Sequence, residues 1–219
     1  LMAGMLEGKF AGEVIEFLME RKGERENFVN LFLAAECLDE VKSRNAIAQI
    51  DRRLQDRVQG LIGYGLILAP RSTYSYREND RIGKIRTKAV AIFAEIWHDN
   101  PDTLPWLKQA TTDADWAVRQ AAVQAIASGW KDEPDTLPML KQATTDATWA
   151  VRQAAVKAIV SGWKDDPETL PWLKQAATDA NSDVRRAAVE AIVSGWKDDP
   201  ETLPMLKQAA TDANSDVRR

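Results

Sequence analysis

Along residues 100–199 the apolar positions fall into short stripes that restart at a fixed interval. In NPDTLPWLKQATT, Leu104, Leu107 and Ala110 share one helical face, and in DWAVRQAAVQAIASGW, Val118, Ala121, Ala122, Ala125 and Ile126 sit at i, i+3, i+4, i+7 and i+8. Each stretch predicts one amphipathic helix. Sliding the chain against itself brings Pro101, Pro134, Pro167 and Pro200 into register, and Trp97, Trp130, Trp163 and Trp196 beside them, at a period of 33 residues. A helix pair with one apolar side needs a neighbour to cover it. The period therefore predicts an all-α fold, an α-solenoid in which helix pairs stack into a superhelix.

The punctuation marks the ends of these helices. Pro101 and Pro105 fall near the start of the first helix of the pair, where a missing amide donor costs least. Asp115, Thr148, Asn181 and Asn214 stand where the second helix needs an N-cap. Gly129, Gly162 and Gly195 follow its last periodic residue and predict a left-handed C-terminal cap, with the next tryptophan folding back as the apolar member of the cap. Those tryptophans are assigned to packing. So is the alternation Trp106, Met139, Trp172, Met205 on the first helices, where both side-chain types fill apolar gaps between repeats.

Upstream, Asp80, Ile85, Arg86, Ala89, Val90 and Trp97 keep the same frame, so DRIGKIRTKAVAIFAEIW reads as the second helix of a degenerate first repeat. The preceding APRSTYSYREND reads as an exposed loop or a decayed helix. Three further stretches have helical periodicity: 11–21 (Val14, Ile15, Leu18), 27–42 (Phe28, Leu31, Phe32, Ala35, Leu38) and 46–62 (Ile47, Ile50, Leu54, Val58, Leu61). The expected organisation is an irregular helical segment over 1–67, a loop with the degenerate repeat over 68–99, and three full repeats with a truncated fourth over 100–219. LMAGMLEGKF reads as the tail of a longer helix. The last repeat breaks off at Arg219, and an uncapped final repeat predicts self-association through that edge.

Composition narrows the function classes. A chain of 219 residues with 45% apolar and 28% charged content can bury a core, and a net charge of -4 does not recruit a phosphate backbone or an anionic membrane. The single cysteine, Cys37, reads as a small core residue, and with the single histidine, His98, it offers no metal cluster; this fits a reducing cytoplasm. No apolar run of membrane-spanning length and no phosphate-binding G-x-x-x-x-G-K-[ST] occurs, so neither a membrane nor a cofactor is expected.

The repeat reads TLP where ankyrin repeats read T-P-L-H, and it lacks the tetratricopeptide W-x2-L-G-x2-Y pattern. DADWAVRQAAV, DATWAVRQAAV and DANSDVRRAAV carry D-x5-R-x-A-A-V, which resembles HEAT repeats in the short form also found in phycobilin lyases. That resemblance implies a hydrogen-bonded ladder between neighbouring repeats, built by Asp113, Arg119, Asp146, Arg152, Asp179 and Arg185, with Asp212 and Arg218 in the same frame. The amino-terminal LMAGMLEGKF and FVNLFLAAECLDEV, followed by tandem repeats, are similar to the helical segment after the nucleotide-binding module of bacterial NACHT-type NTPases of the STAND class. This similarity implies the sensor or regulatory portion of a signalling protein.

Near-identical repeats reveal which positions packing leaves unfixed. Differences collect at Trp116, Trp149 and Ser182, at Gln120, Gln153 and Arg186, and at Gln124, Lys157 and Glu190. These are i, i+4 and i+8 on the second helices and form one stripe opposite the alanine-rich face. In stacked helical repeats the second helices line the concave surface, so the stripe is the candidate contact surface for a protein or peptide partner, and the chain reads as a non-enzymatic scaffold. Two rivals stand beside that reading. A phycobilin lyase-like enzyme subunit would need a tetrapyrrole cavity with polar groups for its propionates, which these uniform helix surfaces do not focus. A HEAT-like nucleic-acid binder would need clustered Lys and Arg, whereas residues 134–166 hold four acids against four bases and each flanking repeat is acidic by two.

Overall fold

The computed structural model describes residues 8–65 and 76–218, and among these every regular element is helical. The chain is an α-solenoid with an irregular helical lead-in. It divides into two compact bodies, residues 1–110 and 111–219.

The amino-terminal body holds α1 (Gly8–Glu20), α2 (Val29–Asp39), α3 (Ala48–Ile62), α4 (Tyr76–Ile96) and α5 (Thr103–Ala110). Its core joins Ala11, Ile15 and Met19 of α1 to Leu31, Phe32, Ala35 and Leu38 of α2, Leu54 and Val58 of α3, and Ile85, Ala89 and Phe93 of α4. The buried face of α1 is thus i, i+4, i+8 from Ala11. Val14, expected on that face, is 40% exposed beside exposed Phe10 and Phe17. The α2 helix starts two residues later than its periodicity predicts, because Asn27 (φ 56) and Phe28 (φ 59) are left-handed and break the helical backbone. That break is held by the Phe28 amide, which donates to the Gly23 carbonyl at 2.7 Å, and by the Phe28 ring standing edge-on to Tyr64.

The α4 helix begins at Tyr76, so the YREND end of the stretch read as an exposed loop or a decayed helix is helical, while residues 69–75 lie outside the described residues. Asp80 consequently sits inside a helix and pairs with Lys84 one turn on, at 2.7 Å. Arg86 is fully buried and donates to the Ile62 carbonyl of α3. Trp97 is buried, its Nε1 donates to Asp51 at 2.7 Å, and Trp106 of α5 lies 5.0 Å from Phe93 of α4.

The carboxy-terminal body holds α6 (Trp116–Gly129), α7 (Thr136–Ala143), α8 (Trp149–Gly162), α9 (Thr169–Ala176), α10 (Ser182–Gly195) and α11 (Thr202–Ala209). Within it α6 packs on α8 and α8 on α10, while α7 covers α8 and α9 covers α10. Val123, Leu140, Val151, Ala155 and Ile159 form one buried cluster, and Val156, Leu173, Val184, Ala188 and Ile192 form the next. Trp172 packs against both clusters, Trp163 against the first, and Trp196 and Met205 against the second.

Two capping expectations change. Asp115 and Asn181 accept from Ala117 and Asp183 amides as N-caps do, but Thr148 makes no such bond; its hydroxyl instead takes a contact from Arg119 Nη2 at 3.3 Å. Gly129, Gly162 and Gly195 are the last residues of their helices rather than left-handed caps; among the described glycines only Gly65 has a positive φ. The chain turns at the following tryptophan, whose amide donates back to Ile126, Ile159 or Ile192 at 2.8–2.9 Å.

Candidate binding face of the second helices

The helices α6, α8 and α10 begin at Trp116, Trp149 and Ser182, because the residue before each is a short polar N-cap type that terminates the preceding turn. Alanine and valine then take the inward positions, so the stripe one and two turns further on is left outside. Trp116 is 46% and Trp149 42% exposed, whereas the recurring Trp97 is 4% exposed. Ser182, Gln120 and Gln153 are half-buried, and Gln124, Lys157 and Glu190 are exposed. Because α6, α8 and α10 pack side by side, the nine positions lie in three adjacent rows.

The middle row is fixed by hydrogen bonds that cross between repeats. Gln120 Nε2 donates to the Ala150 carbonyl at 3.4 Å, and Gln153 Nε2 donates to the Asp183 carbonyl at 3.2 Å. At the third position Arg186 turns to Asp183 on its own helix, at 3.4 Å. The row therefore changes character at α10.

The charged residues beside this face are engaged elsewhere. Arg119 makes a two-pronged bond to Asp146 of the next repeat, at 2.7 and 2.8 Å, and its Nη1 donates to the Asp113 carbonyl at 2.8 Å. Arg152 repeats this with Asp179 and the Asp146 carbonyl, and Arg185 with Asp212 and the Asp179 carbonyl. Each carboxylate also accepts the amide two residues on, at Thr148, Asn181 and Asn214. The ladder thus joins each arginine side chain to the carboxylate 27 residues ahead and to the carbonyl of the aspartate six residues behind. The Arg119 hydrogen bond holds Asp146 below the usual carboxylate range. Burial opposes the shift at Asp179, and the bonds from Arg152 and the Asn181 amide outweigh it. Arg185 and the Asn214 amide bring Asp212 down to about 2. Carboxylates held ionised with their lone pairs occupied are poor proton shuttles, so the ladder serves structure.

Two recurring contacts escape the sequence reading. Thr103, Thr136, Thr169 and Thr202 are buried, and their hydroxyls donate to the carbonyls of Trp97, Trp130, Trp163 and Trp196 at 2.6–2.7 Å. The signal was the threonine of TLP, present six residues after each tryptophan. Lys141 pairs with Glu168, and Lys174 with Glu201, again 27 residues ahead.

In the amino-terminal body a polar groove is lined by Arg44, Asp51, Arg52 and His98, among others. Arg44 is bonded to the Ile96 carbonyl and to Asp39, and Asp51 to Trp97, so these groups hold the turn after α4 in place. Among the described residues no three His, Cys, Asp or Glu side chains gather as metal ligands, and no helix is long and apolar enough to cross a membrane.

The sequence pattern of HEAT repeats matches residues 77–160 and 137–219, more than half of the chain. The chain belongs to the HEAT-repeat family. Solved structures agree at the level of the HEAT-like fold. The X-ray structure of YibA from E. coli aligns with a TM-score of 0.55 at 18% identity, over 96% of this chain and 68% of that one. A designed armadillo repeat protein in complex with the peptide (KR)4 aligns with a TM-score of 0.52 at 20% identity, over 95% of both chains. No curated protein matches the sequence.

Proposed function

We propose that this HEAT-repeat chain is a non-enzymatic scaffold that holds a protein or peptide ligand against the outward stripe of α6, α8 and α10. One observation carries the reading: Trp116 and Trp149 are each more than two-fifths exposed at the same position of consecutive repeats. Large aromatic side chains left in water at adjacent sites are costly to solvate and supply much of the energy of protein contacts. The remaining groups of the stripe are amides, one hydroxyl and three charges, a rim suited to orienting a ligand. The armadillo structure supplies the ligand class, a peptide, by analogy of fold.

The wider setting, a regulatory HEAT portion of a NACHT-type NTPase, rests on the resemblance of the amino-terminal helices. Reading the gene upstream of Leu1 for a phosphate-binding loop tests it.

The binding face is tested by selecting binders for the full chain from a random dodecamer peptide library, then measuring their affinity for W116A and W149A. Each substitution is expected to weaken binding roughly thirtyfold, the effect of losing a hot-spot aromatic, while the melting temperature moves by about 2 °C or less. A large drop in melting temperature would mean that the indoles belong to the core, and unchanged affinity would remove the stripe as the site.

A further inference from the structure

We infer that the Trp–Gln rows recognise the main chain of an extended peptide, with Gln120 and Gln153 accepting hydrogen bonds from its amide N–H groups while Trp116 and Trp149 cover its side chains. This inference rests on the binding face proposed above and specifies what lies on it.

The two glutamines are held in place. Each spends one Nε2 proton on a carbonyl of the next helix, Gln120 on Ala150 and Gln153 on Asp183. That bond restrains the carboxamide and leaves Oε1 as an acceptor with no partner among the described residues. An acceptor of this kind is met by a donor.

The surroundings decide which donor. Trp116, Gln120, Gln124, Trp149 and Gln153 are all uncharged, and the ladder arginines nearby are committed to Asp146 and Asp179. A lysine or arginine side chain brought to Trp116, Gln120 and Gln124 would lose water without gaining a free counter-ion, since Asp183, beside Gln153, is already paired with Arg186. A neutral amide N–H carries a much smaller desolvation cost, and a single carboxamide acceptor offsets it.

Spacing then separates an extended ligand from a helical one. Packed helices stand about 8–10 Å apart, and an extended chain advances about 3.3 Å per residue, so successive glutamines would meet amides roughly two to three residues apart. Beyond its first turn a helix has already spent its N–H groups internally, so a helical ligand could not serve both acceptors. The row ends at α10, where Ser182 and Arg186 replace the indole and the amide, so the contact spans two repeats.

The experiment uses the selected dodecamers on the full chain. Peptides carrying single backbone N-methyl groups are titrated against the native protein, and the unmodified peptides against Q120M and Q153M, which keep side-chain length but remove the acceptor. N-methylation at two positions, two or three residues apart, is expected to reduce affinity roughly tenfold each, as is each Gln→Met change. Circular dichroism of the bound peptide is expected to show no helix. If binding needs Trp116 and Trp149 but tolerates every N-methyl group and both Gln→Met changes, or if the bound peptide is helical, the main-chain inference falls and the binding face stands. If no selected peptide depends on the tryptophans, both fall. Melting curves of Q120M and Q153M within about 2 °C of native assign any loss to contact rather than folding.

Discussion

Gly162 shows how one letter admits two physical meanings. A glycine after the last periodic residue of a helix reads as a left-handed cap, yet this one closes α8 as an ordinary helical residue. A Cβ added there would meet the stem of Lys131 from the preceding repeat at 3.7 Å, and the equivalent atom on Gly195 would meet Lys164 Cε at 3.2 Å. At Gly162 this is ordinary contact, so the neighbour's lysine lies along the position without excluding a methyl group. Gly65 is the opposite case: its φ is 80, and a Cβ would stand 2.9 Å from Ile82 Cδ1. Gly162→Ala is therefore expected to stabilise the protein by up to about 1 kcal/mol, the helix-propensity difference. Gly65→Ala is expected to cost about 1–3 kcal/mol through backbone strain and crowding. Urea unfolding of the two variants decides this; an equal loss at both would restore the left-handed reading of Gly162. The lysine contact was illegible because its partner lies 31 residues away and a methylene stem leaves no pattern in the letters.

Among the elements, the Asp–Arg ladder was the most legible feature and the threonine bridges the least. The spacing of six only paired each arginine with the aspartate behind it, and the resemblance to HEAT repeats implied a ladder between repeats; Arg119, Arg152 and Arg185 bond to the aspartate 27 residues ahead. The Thr–Trp bridges use backbone carbonyls as acceptors, and every residue has one, so only the recurrence of threonine marked them. The start of α4 was hidden for another reason: Tyr76–Asp80 is polar, and periodicity says nothing about a helical turn with no apolar stripe.

The ladder carries a pH dependence whose sign follows from its geometry. Asp146, Asp179 and Asp212 have folded-state values below their unfolded ones. Their contribution is complete above the unfolded value near 4 and is lost as pH falls through the folded values, about 2 for Asp212. The melting temperature is expected to be flat in this respect above about pH 5 and to fall between about pH 4 and pH 2. Arg152→Ala removes the two-pronged bond at a site where both side chains are about 15% exposed, and should cost about 2 kcal/mol at neutral pH and flatten part of the acid slope. Lys174→Ala, which loses the 68% exposed Glu201 and a longer 3.5 Å contact to Asp199, should cost less than about 1 kcal/mol. Equal costs for the two would contradict the assignment of the ladder as the main polar link between repeats.

At the scale of the carboxy-terminal body, stability should propagate from neighbour to neighbour, because each helix pair meets only the pairs beside it. Ile159 of α8 is fully buried in a cluster drawn from α6, α7 and α8, and Trp172 of α9 joins that cluster to the next. Ile159→Ala should therefore cost about 2–5 kcal/mol and lower hydrogen-exchange protection through α6, α7, α8 and α9 together. Leu206 of α11 is half-buried, and Leu203 on the same helix is 61% exposed, so that helix packs mainly on α10, with Met205 reaching the cluster that also holds Leu173 of α9. Leu206→Ala should cost less and release protection only in α10 and α11. Native-state exchange on both variants reads the difference directly. If either substitution lowers protection uniformly across α6 to α11, the body behaves as one cooperative core, and the account of repeats held to one another by separable interfaces fails.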